Sequence, residues 1–289
     1  MEPDELYSNF QKTDPCFYDL PPVSFQLIVG CNSNSLQYAV FDPDKHKFVA
    51  FTIKYIQAVR DKYTYYDQIK NFISENELLS LPYKNVRIIY ETQQSTLVPD
   101  ALFDIAEAGT YLRYNQQLLP DDVILTDKLR NNETANIFCV PAGFQDAINL
   151  PNSTIHHHAS VFIESLLLQN KNNIVPQMVF VQVHAAFFDI MVLENRRLKF
   201  YNTFAYKTAE DFMYFVLLVF GQLKMSPEQT GVTLMGEIVK ISALYELLYK
   251  YIRNLQFVKA GEMFASSHIL NNVSPHLFYS LFNTVLCEL

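Results

Sequence analysis

The sequence predicts an α/β protein made of two similar halves, each a mixed sheet flanked by helices. Two observations support this. Phe25–Tyr55 and Met178–Tyr206 each have the alternating apolar pattern of a three-strand antiparallel meander. After each meander come a helical pattern, a short apolar strand and another helix. Strands and helices alternate along both halves, which favours mixed α/β layers.

The first half begins with a polar arm, residues 1–22, that ends in Leu20-Pro-Pro22. Apolar residues at helical spacing then predict a helix that Pro82 stops, and Pro99 suits the first turn of another helix. In order, the predicted elements are strands at 24–30, 36–41 and 47–53, a helix at 63–79, a strand at 85–90, a helix at 99–114, strands at 123–126 and 135–140, and helices at 141–148 and 157–169.

The second half follows a polar junction at Lys171-Asn-Asn173, so we expect one lobe at residues 1–172 and another at 173–289. Its predicted elements are strands at 178–183, 187–193 and 198–204, a helix at 209–224, a strand at 232–235, a helix at 242–248, a strand at 255–258 and a closing helix at 275–286. Two similar lobes are expected to enclose a cleft, where function would lie.

The composition argues against several classes of protein, among them nucleic-acid-binding and membrane-spanning proteins. The 289 residues are 49% hydrophobic and 18% charged, with 22 basic and 30 acidic residues and a net charge of −8. Because no block of Lys or Arg occurs, nucleic-acid binding through a basic face is not expected. Four scattered cysteines without a CxxC pair and an acidic first segment predict a reduced, cytoplasmic protein. The longest apolar run, Phe212–Phe220, is too short to span a bilayer.

Several segments resemble a known family. Ala142-Gly-Phe144, the helix at 157–169 and the meander from Met178 follow one another as in type IV pilus assembly ATPases. Over residues 24–285 the element order resembles the actin-like ATPase fold, a duplicated ribonuclease H-like fold of actin, sugar kinases and heat-shock chaperones. The chain is most similar to a bacterial family of unknown function with this fold, through Ser95-Thr-Leu-Val-Pro99, Leu102-Phe103, Gly236 and Leu244-Tyr-Glu-Leu-Leu248.

The resemblance implies two lobes, each with a mixed five-stranded sheet that contains the meander. It also implies three turns that would hold the nucleotide: two hairpin turns and a glycine-rich strand–helix turn at the adenosine. Glycine there lets backbone N–H groups approach phosphate, and an acid beside the turn helps to hold magnesium or a water. In the first meander the acid–x–glycine pattern falls on Ile28-Val29-Gly30, followed by Cys31. The glycine is present, but an alkane replaces the carboxylate.

The other two turns depart further from the pattern. In the second meander it falls on Gln182-Val183-His184, so the acid and the glycine are both absent. At the adenosine turn, paired glycines become Gly236-Glu237, which puts a negative charge near an anionic ligand. We therefore predict no catalytic residue, no metal site and no nucleotide cofactor at these positions.

Other acids and histidines offer alternatives. Asp42 and Asp44 lie in the second turn of the first meander and Asp189 lies in a strand, and each is expected to be a solvated carboxylate rather than a metal ligand. His156-His-His158 cannot share one metal, because consecutive side chains diverge. We expect this run to start a helix at the surface.

Cys31 and His184 are a further alternative, since a thiol beside an imidazole is a nucleophile pattern. Both would flank the cleft of an actin-like fold. No orienting third group or oxyanion donor is identifiable in the sequence, so a structural cysteine and a cleft-lining histidine are favoured.

Two hypotheses of function follow. The favoured one is a non-catalytic cytosolic binding or scaffold protein on a degenerate actin-like fold, with one or more protein partners, in keeping with the 18 Tyr and 23 Phe residues. The alternative is a nucleotide-binding ATPase or switch, with ATP and magnesium held by atypical phosphate contacts. A third possibility is binding of a small molecule without chemistry.

Overall fold

The computed structural model describes residues 10–56 and 62–289, except for the side chains of residues 262 and 263. Contacts divide the chain into two units. The first unit comprises residues 8–165, 261–272 and 280–289, and the second comprises 166–260 and 273–279, apart from an amino-terminal piece outside the described residues. The lobes at 1–172 and 173–289 stay a prediction. None of the described helices is long and apolar enough to cross a membrane.

The elements of the first part of the chain alternate between strands and helices. They are β1 (Phe10–Thr13), β2 (Gln26–Cys31), β3 (Ser35–Asp42), β4 (Lys47–Tyr55), α1 (Lys62–Glu75), β5 (Asn85–Tyr90), β6 (Ser95–Pro99), α2 (Ala108–Arg113), β7 (Asp122–Leu129), β8 (Thr134–Pro141), α3 (Ala142–Ile148), β9 (Ser153–His157) and α4 (His158–Asn170).

The main sheet of the first unit has the strand order β1-β4-β3-β2-β5-β9. Pairing is antiparallel from β1 to β2 and parallel from β2 through β5 to β9. Side chains alternate across a strand, so Leu27, Val29 and Cys31 point to one face, where they join a core with α1 and α3. Ile28 and Gly30 therefore belong to the opposite face.

The carboxy-terminal segment of the first unit packs against strands of this sheet. The ring of Phe282 lies 4.8 Å from that of Phe48 and 5.1 Å from that of Phe51. The guanidinium of Arg87, in β5, donates hydrogen bonds to the carbonyl oxygens of Thr284 and Cys287. These contacts tie residues 280–289 to strands more than a hundred residues earlier.

A smaller antiparallel sheet, β6-β8-β7, packs with α2 around Val98, Leu112 and Ile137. The prediction of one helix over residues 99–114 is wrong here: β6 ends at Pro99, two short 3₁₀ turns follow, and only Ala108–Arg113 is α-helical. Asp104 interrupts the helix because its carboxylate caps the 3₁₀ turn by accepting the N–H of Ala106.

The elements after α4 are β10 (Gln177–Val183), β11 (Phe187–Glu194), β12 (Arg197–Ala205), α5 (Ala209–Gln222), β13 (Val232–Gly236), α6 (Ala243–Tyr251), β14 (Leu255–Phe257), α7 (Glu262–Ala265) and α8 (Tyr279–Asn283). Helix α7 and all of α8 except Tyr279 belong to the first unit. The second unit contains one sheet of order β12-β11-β10-β13-β14. Thr208 and Asp211 form a capping box that starts α5, and the apolar faces of α5 and α6 pack on Val179, Val181 and Val183.

The predicted mixed α/β class with two meanders is confirmed. Besides the helix at 99–114, several elements differ from prediction, among them the unpredicted strand β6 and the short helix Glu262–Ala265. Strand β9 precedes α4 and was missed because its polar residues lack a strand pattern, and β1 adds an edge strand to the first sheet. The closing helix is short: only Tyr279–Asn283 is α-helical, followed by a 3₁₀ turn at Thr284–Leu286.

Candidate functional site

The first predicted turn lies at the carboxyl end of β2, the end of a parallel strand where α/β folds bind ligands. Ile28 is fully buried within β2 and pairs with Ala39 and Arg87 on the neighbouring strands. Gly30 pairs with Gln37, whose side chain fills the space above it: a Cβ on Gly30 would lie 2.8 Å from Cγ of Gln37. The glycine at this turn is therefore explained by a close side-chain neighbour.

The turn after β2 is closed by the side chain of Asn32. Its Oδ1 accepts hydrogen bonds from the backbone N–H of Ser35 at 2.6 Å, from the N–H of Asn34 at 3.2 Å and from the hydroxyl of Ser35 at 2.9 Å. The hydroxyl of Tyr65 donates to the carbonyl of Asn32 at 3.0 Å. This Asx turn satisfies its own N–H groups, as short polar side chains commonly do.

The second predicted turn, after β10, is built around a buried acid. Asp189 is fully buried; its Oδ2 lies 2.9 Å from Nε2 of His184, and its Oδ1 accepts from the hydroxyls of Tyr201 at 2.7 Å and Thr203 at 2.6 Å. Burial, together with the charge of Asp189, raises the pKa of Tyr201 well above its usual value. Tyr201 therefore acts as a hydrogen-bond donor to the carboxylate.

The backbone of this turn is equally engaged. The N–H of His184 donates to the carbonyl of Phe187 at 2.9 Å, and the imidazole stacks on the ring of Phe187 at 4.3 Å. The carbonyl of His184 accepts from the hydroxyl of Tyr206 at 2.6 Å. Gln182, also buried, pairs with Asp189 across β10 and β11.

The third predicted turn follows β13 at Gly236-Glu237. Gly236 has φ +82°, and a Cβ there would lie 2.1 Å from the carbonyl oxygen of Val183. Glycine is required by backbone conformation and by the close approach of β10. The N–H of Gly236 donates to the carbonyl of His276 at 2.7 Å, and the N–H of Glu237 donates to Val183 at 2.8 Å.

His276 closes this turn with its side chain as well. Its Nε2 lies 2.9 Å from the carbonyl oxygen of Ile238, and because a carbonyl only accepts, Nε2 carries the proton. Its ring also contacts Phe257 at 4.3 Å. Burial lowers the pKa of His276 below its usual value. The segment 273–279, distant in sequence, thus holds the turn in place.

The structure brings four predicted positions together within the second unit. Gln182, His184, Gly236 and Glu237 meet at the carboxyl ends of β10 and β13 in the second unit. Ile28, Gly30 and Cys31 lie in the first unit, at the end of β2. Their roles as degenerate ligand positions stay a prediction.

The expectation of solvated carboxylates is wrong for two acids. Asp189 is buried in the network described above. Asp42 is 1% exposed, and its Oδ1 accepts the N–H groups of Asp44 and Lys45. Asp44 alone is exposed as expected. The sequence signal for Asp189 is weak, because its partners lie on other strands.

The expected surface position of the three histidines is also wrong. His156, His157 and His158 are all buried at the β9–α4 junction. Nδ1 of His156 lies 2.7 Å from Oδ1 of Asp127, and the N–H of His157 donates to Oδ2 of the same carboxylate at 2.8 Å. Sequence reasoning missed Asp127, since it lies 29 residues away on β7.

Cys31 has the properties of a structural cysteine. It is 1% exposed, and burial raises the pKa of its thiol to about 12. A buried neutral thiol is a poor nucleophile, because the thiolate is the reactive form. All four cysteines of the chain are free.

Comparison with solved structures identifies the class of fold. The chain is similar to a Bacteroides thetaiotaomicron protein with an actin-like ATPase fold and unknown function, with a TM-score of 0.78, 19% identity, and coverage of 92% of this chain and 97% of that one. It is also similar to a chain of the PilM–PilN type IV pilus biogenesis complex, with a TM-score of 0.58, 10% identity, and coverage of 91% and 97%. The protein therefore has an actin-like ATPase fold.

The family follows from the sequence comparison. Residues 24–255 match the family described as protein of unknown function (DUF3822), and the chain belongs to that family. No curated protein matches the sequence significantly. The predicted resemblance to a bacterial family of unknown function with an actin-like fold is confirmed.

We predict that Gly30→Ala lowers the free energy of unfolding by about 1–3 kcal/mol, because the new methyl group overlaps the side chain of Gln37. Gln37→Ala removes the overlapping atoms, so the double variant should be more stable than the sum of the two single changes predicts. Urea denaturation of the four proteins measures this coupling. A Gly30→Ala variant as stable as the wild type would contradict this prediction.

We predict that Gly236→Ala costs at least about 2 kcal/mol, because alanine is strained at φ +82° and meets the backbone of Val183. Gly221→Ala is the matched control: it lies in α5 with no atom within 4 Å of the added methyl group, and should leave stability unchanged or raise it by about 0.5–1 kcal/mol. Thermal denaturation compares the two variants, and equal stabilities would contradict the requirement for glycine at position 236.

We predict that acidification destabilises the turn at Gly236 through His276. The folded-state pKa lies below the unfolded value, so the unfolded chain binds more protons in the interval between them. Stability from this group is complete above about pH 6.5 and falls as the pH drops through that value towards the folded pKa. His276→Gln should reduce the loss in unfolding free energy between about pH 7.5 and 5.5. An unchanged pH dependence would contradict this role.

Proposed function

We propose that this protein is a non-catalytic cytosolic binding or scaffold protein on an actin-like fold whose nucleotide-binding motifs are lost. The observation that carries the proposal is the state of the backbone at the three turns. N–H groups there already donate to the protein itself: those of Asn34 and Ser35 to Asn32, that of His184 to Phe187, and that of Gly236 to His276.

Phosphate binding at these turns would require those hydrogen bonds to break. A nucleotide phosphate is gripped by backbone N–H groups that point at it. An N–H already bonded within a folded turn offers a ligand no net hydrogen bond unless another acceptor is left unsatisfied. Because these N–H groups are already hydrogen-bonded within the protein, a structural role of the turns is favoured over nucleotide binding.

The side chains do not fit magnesium and triphosphate either. Magnesium prefers hard oxygen ligands, usually carboxylates, and keeps several waters. Ile28 and Gln182 stand where the resemblance expects carboxylates, and Glu237 would add a negative charge beside an anionic ligand. Asp189 is a carboxylate, but three donors already surround it.

A protein partner is the ligand we favour. The PilM chain of similar fold was solved in a complex with PilN, which supports an actin-like fold acting as a protein-binding module. Exposed aromatic side chains, among them Tyr214 and Tyr249, suit such a surface. The identity of the partner does not follow from the fold.

The second candidate function is a nucleotide-binding ATPase or switch with atypical contacts. The buried oxygen Oε1 of Gln37, beside Gly30, lacks a hydrogen-bond partner among the described residues. This oxygen does not bond an ionised phosphate, but it suits a magnesium ion or a ribose hydroxyl, and that is the observation that favours this alternative.

We predict that magnesium–ATP does not raise the melting temperature. A ligand that binds only the folded state at 100 times its Kd stabilises by about 2.7 kcal/mol, so about 5 mM ATP would reveal a Kd of about 50 μM as a shift of several degrees. A thermal-shift titration with magnesium–ATP, magnesium–ADP and magnesium alone tests this.

A shift with ATP that is weakened in the Gly30→Ala, Gln37→Ala double variant would favour the nucleotide-binding alternative. A partner found by affinity purification from the native cell would then be purified and its Kd measured with and without magnesium–ATP. An affinity that depends on nucleotide would overturn the scaffold proposal.

A further inference from the structure

The first unit contains a second concave site, at the amino ends of its parallel strands. A cavity of about 560 Å³ opens beside Gln26, Asn85 and Thr154, near the starts of β2, β5 and β9. The turn at Gly30 lies at the other end of β2. The cavity is therefore distinct from the turn at Gly30, and its volume lies in the usual range of small-molecule sites.

The lining is a mixture of apolar and polar side chains. Lys84 and Arg87 supply positive charge, and Gln26, Asn85 and Asn152 supply carboxamides. None of the lining side chains, all of which belong to the described residues, is acidic. Such a lining suits a ligand that carries a negatively charged group.

Arg87 is the observation that points to a ligand. Its guanidinium is half-buried, and burial lowers its pKa from the usual value, which means that solvation of the charge is partly lost. Nη1 donates to the carbonyls of Thr284 and Cys287, yet Arg87 has no ion pair with any carboxylate of the described residues. Buried charges are normally paired, and guanidinium has five donors in a fork that matches an oxyanion.

His156 forms another polar wall of the cavity. The carboxylate of Asp127 lies 2.7 Å from Nδ1, and an ionised carboxylate only accepts, so Nδ1 carries a proton. Nε2 then lies 2.9 Å from the hydroxyl of Thr154, which also lines the cavity. These two contacts fix the orientation of the His156 ring. The ring in turn holds the hydroxyl of Thr154 in the lining, where a ligand would contact it.

We propose that this cavity binds a small molecule through an oxyanion group, either a phosphate or a carboxylate, with Arg87 as its main anchor and Lys84 as a second positive charge. The planar fork of Arg87 binds the oxyanion, and the carboxamides and the Thr154 hydroxyl hold the polar remainder of the molecule.

The test is a titration of the full chain with orthophosphate and, separately, with citrate at constant ionic strength, with uncharged glycerol as a third arm. Calorimetry measures affinity, and NMR follows the Nε–H signal of Arg87 and the ring signals of His156. We expect saturable binding of at least one anion below about 10 mM, with both signals shifting. The anion that binds more tightly identifies the phosphate or the carboxylate class.

Variants distinguish a specific binding site from nonspecific attraction of anions to the protein surface. Lys84→Ala should weaken binding about threefold to tenfold, and Arg87→Lys, which keeps the charge but loses the fork, about tenfold or more. Lys70→Ala is the matched control, because Lys70 is an exposed lysine on α1 outside the cavity, and its affinity should equal that of the wild type.

Either of two results would overturn the proposal: no saturable shift of the Arg87 and His156 signals up to about 50 mM anion, or an equal loss of affinity in Lys70→Ala and Lys84→Ala. Because Lys84 makes no ion pair with the described residues, its variant should fold normally. Circular dichroism checks this, and if Arg87→Lys proves unstable, Lys84→Ala against Lys70→Ala decides the outcome.

Discussion

Backbone N–H groups at the ends of parallel strands must find acceptors, and this requirement shapes the three turns of the candidate site. A parallel strand that ends in a turn leaves donors without ladder partners. In the first unit the side chain of Asn32 takes them. In the second unit the carbonyls of Phe187, Val183 and His276 take them. The N–H groups named above are thus hydrogen-bonded within the protein without a ligand.

The hydrogen bonds and packing of these regions depend on residues far away in sequence. His276 reaches the Gly236 turn from about forty residues downstream, and Phe282 and Arg87 fasten residues 280–289 to the first sheet. Similarly, the buried carboxylate of Asp189 is stabilised because His184, Tyr201 and Thr203 surround it with hydrogen-bond donors. Removing one partner from such a network leaves a desolvated charge, which is why the network is expected to act as a unit.

Much of the fold could be predicted because period-two and helical apolar patterns are local properties. The two meanders, α1 and α5 were found for that reason. Strand β9 was not, since Ser153–His157 is polar and its pairing with β5 alone makes it a strand. The three histidines were expected at the surface because their burial depends on Asp127 and Thr92, contacts that no local pattern records.

The sequence alone determined the α/β class, the repeated meanders and the absence of the acid–x–glycine pattern from the two meander turns, because these follow from residue type and short-range spacing. Only the tertiary structure decided that Gly236 is required by the backbone of Val183 and that Asp189 and Asp127 are buried partners of histidines. It also decided that Arg87 lines a cavity and has no ion pair within residues 10–56 and 62–289. The physical reason is that hydrogen-bond satisfaction and desolvation depend on which distant groups meet, and distance along the chain does not encode that directly.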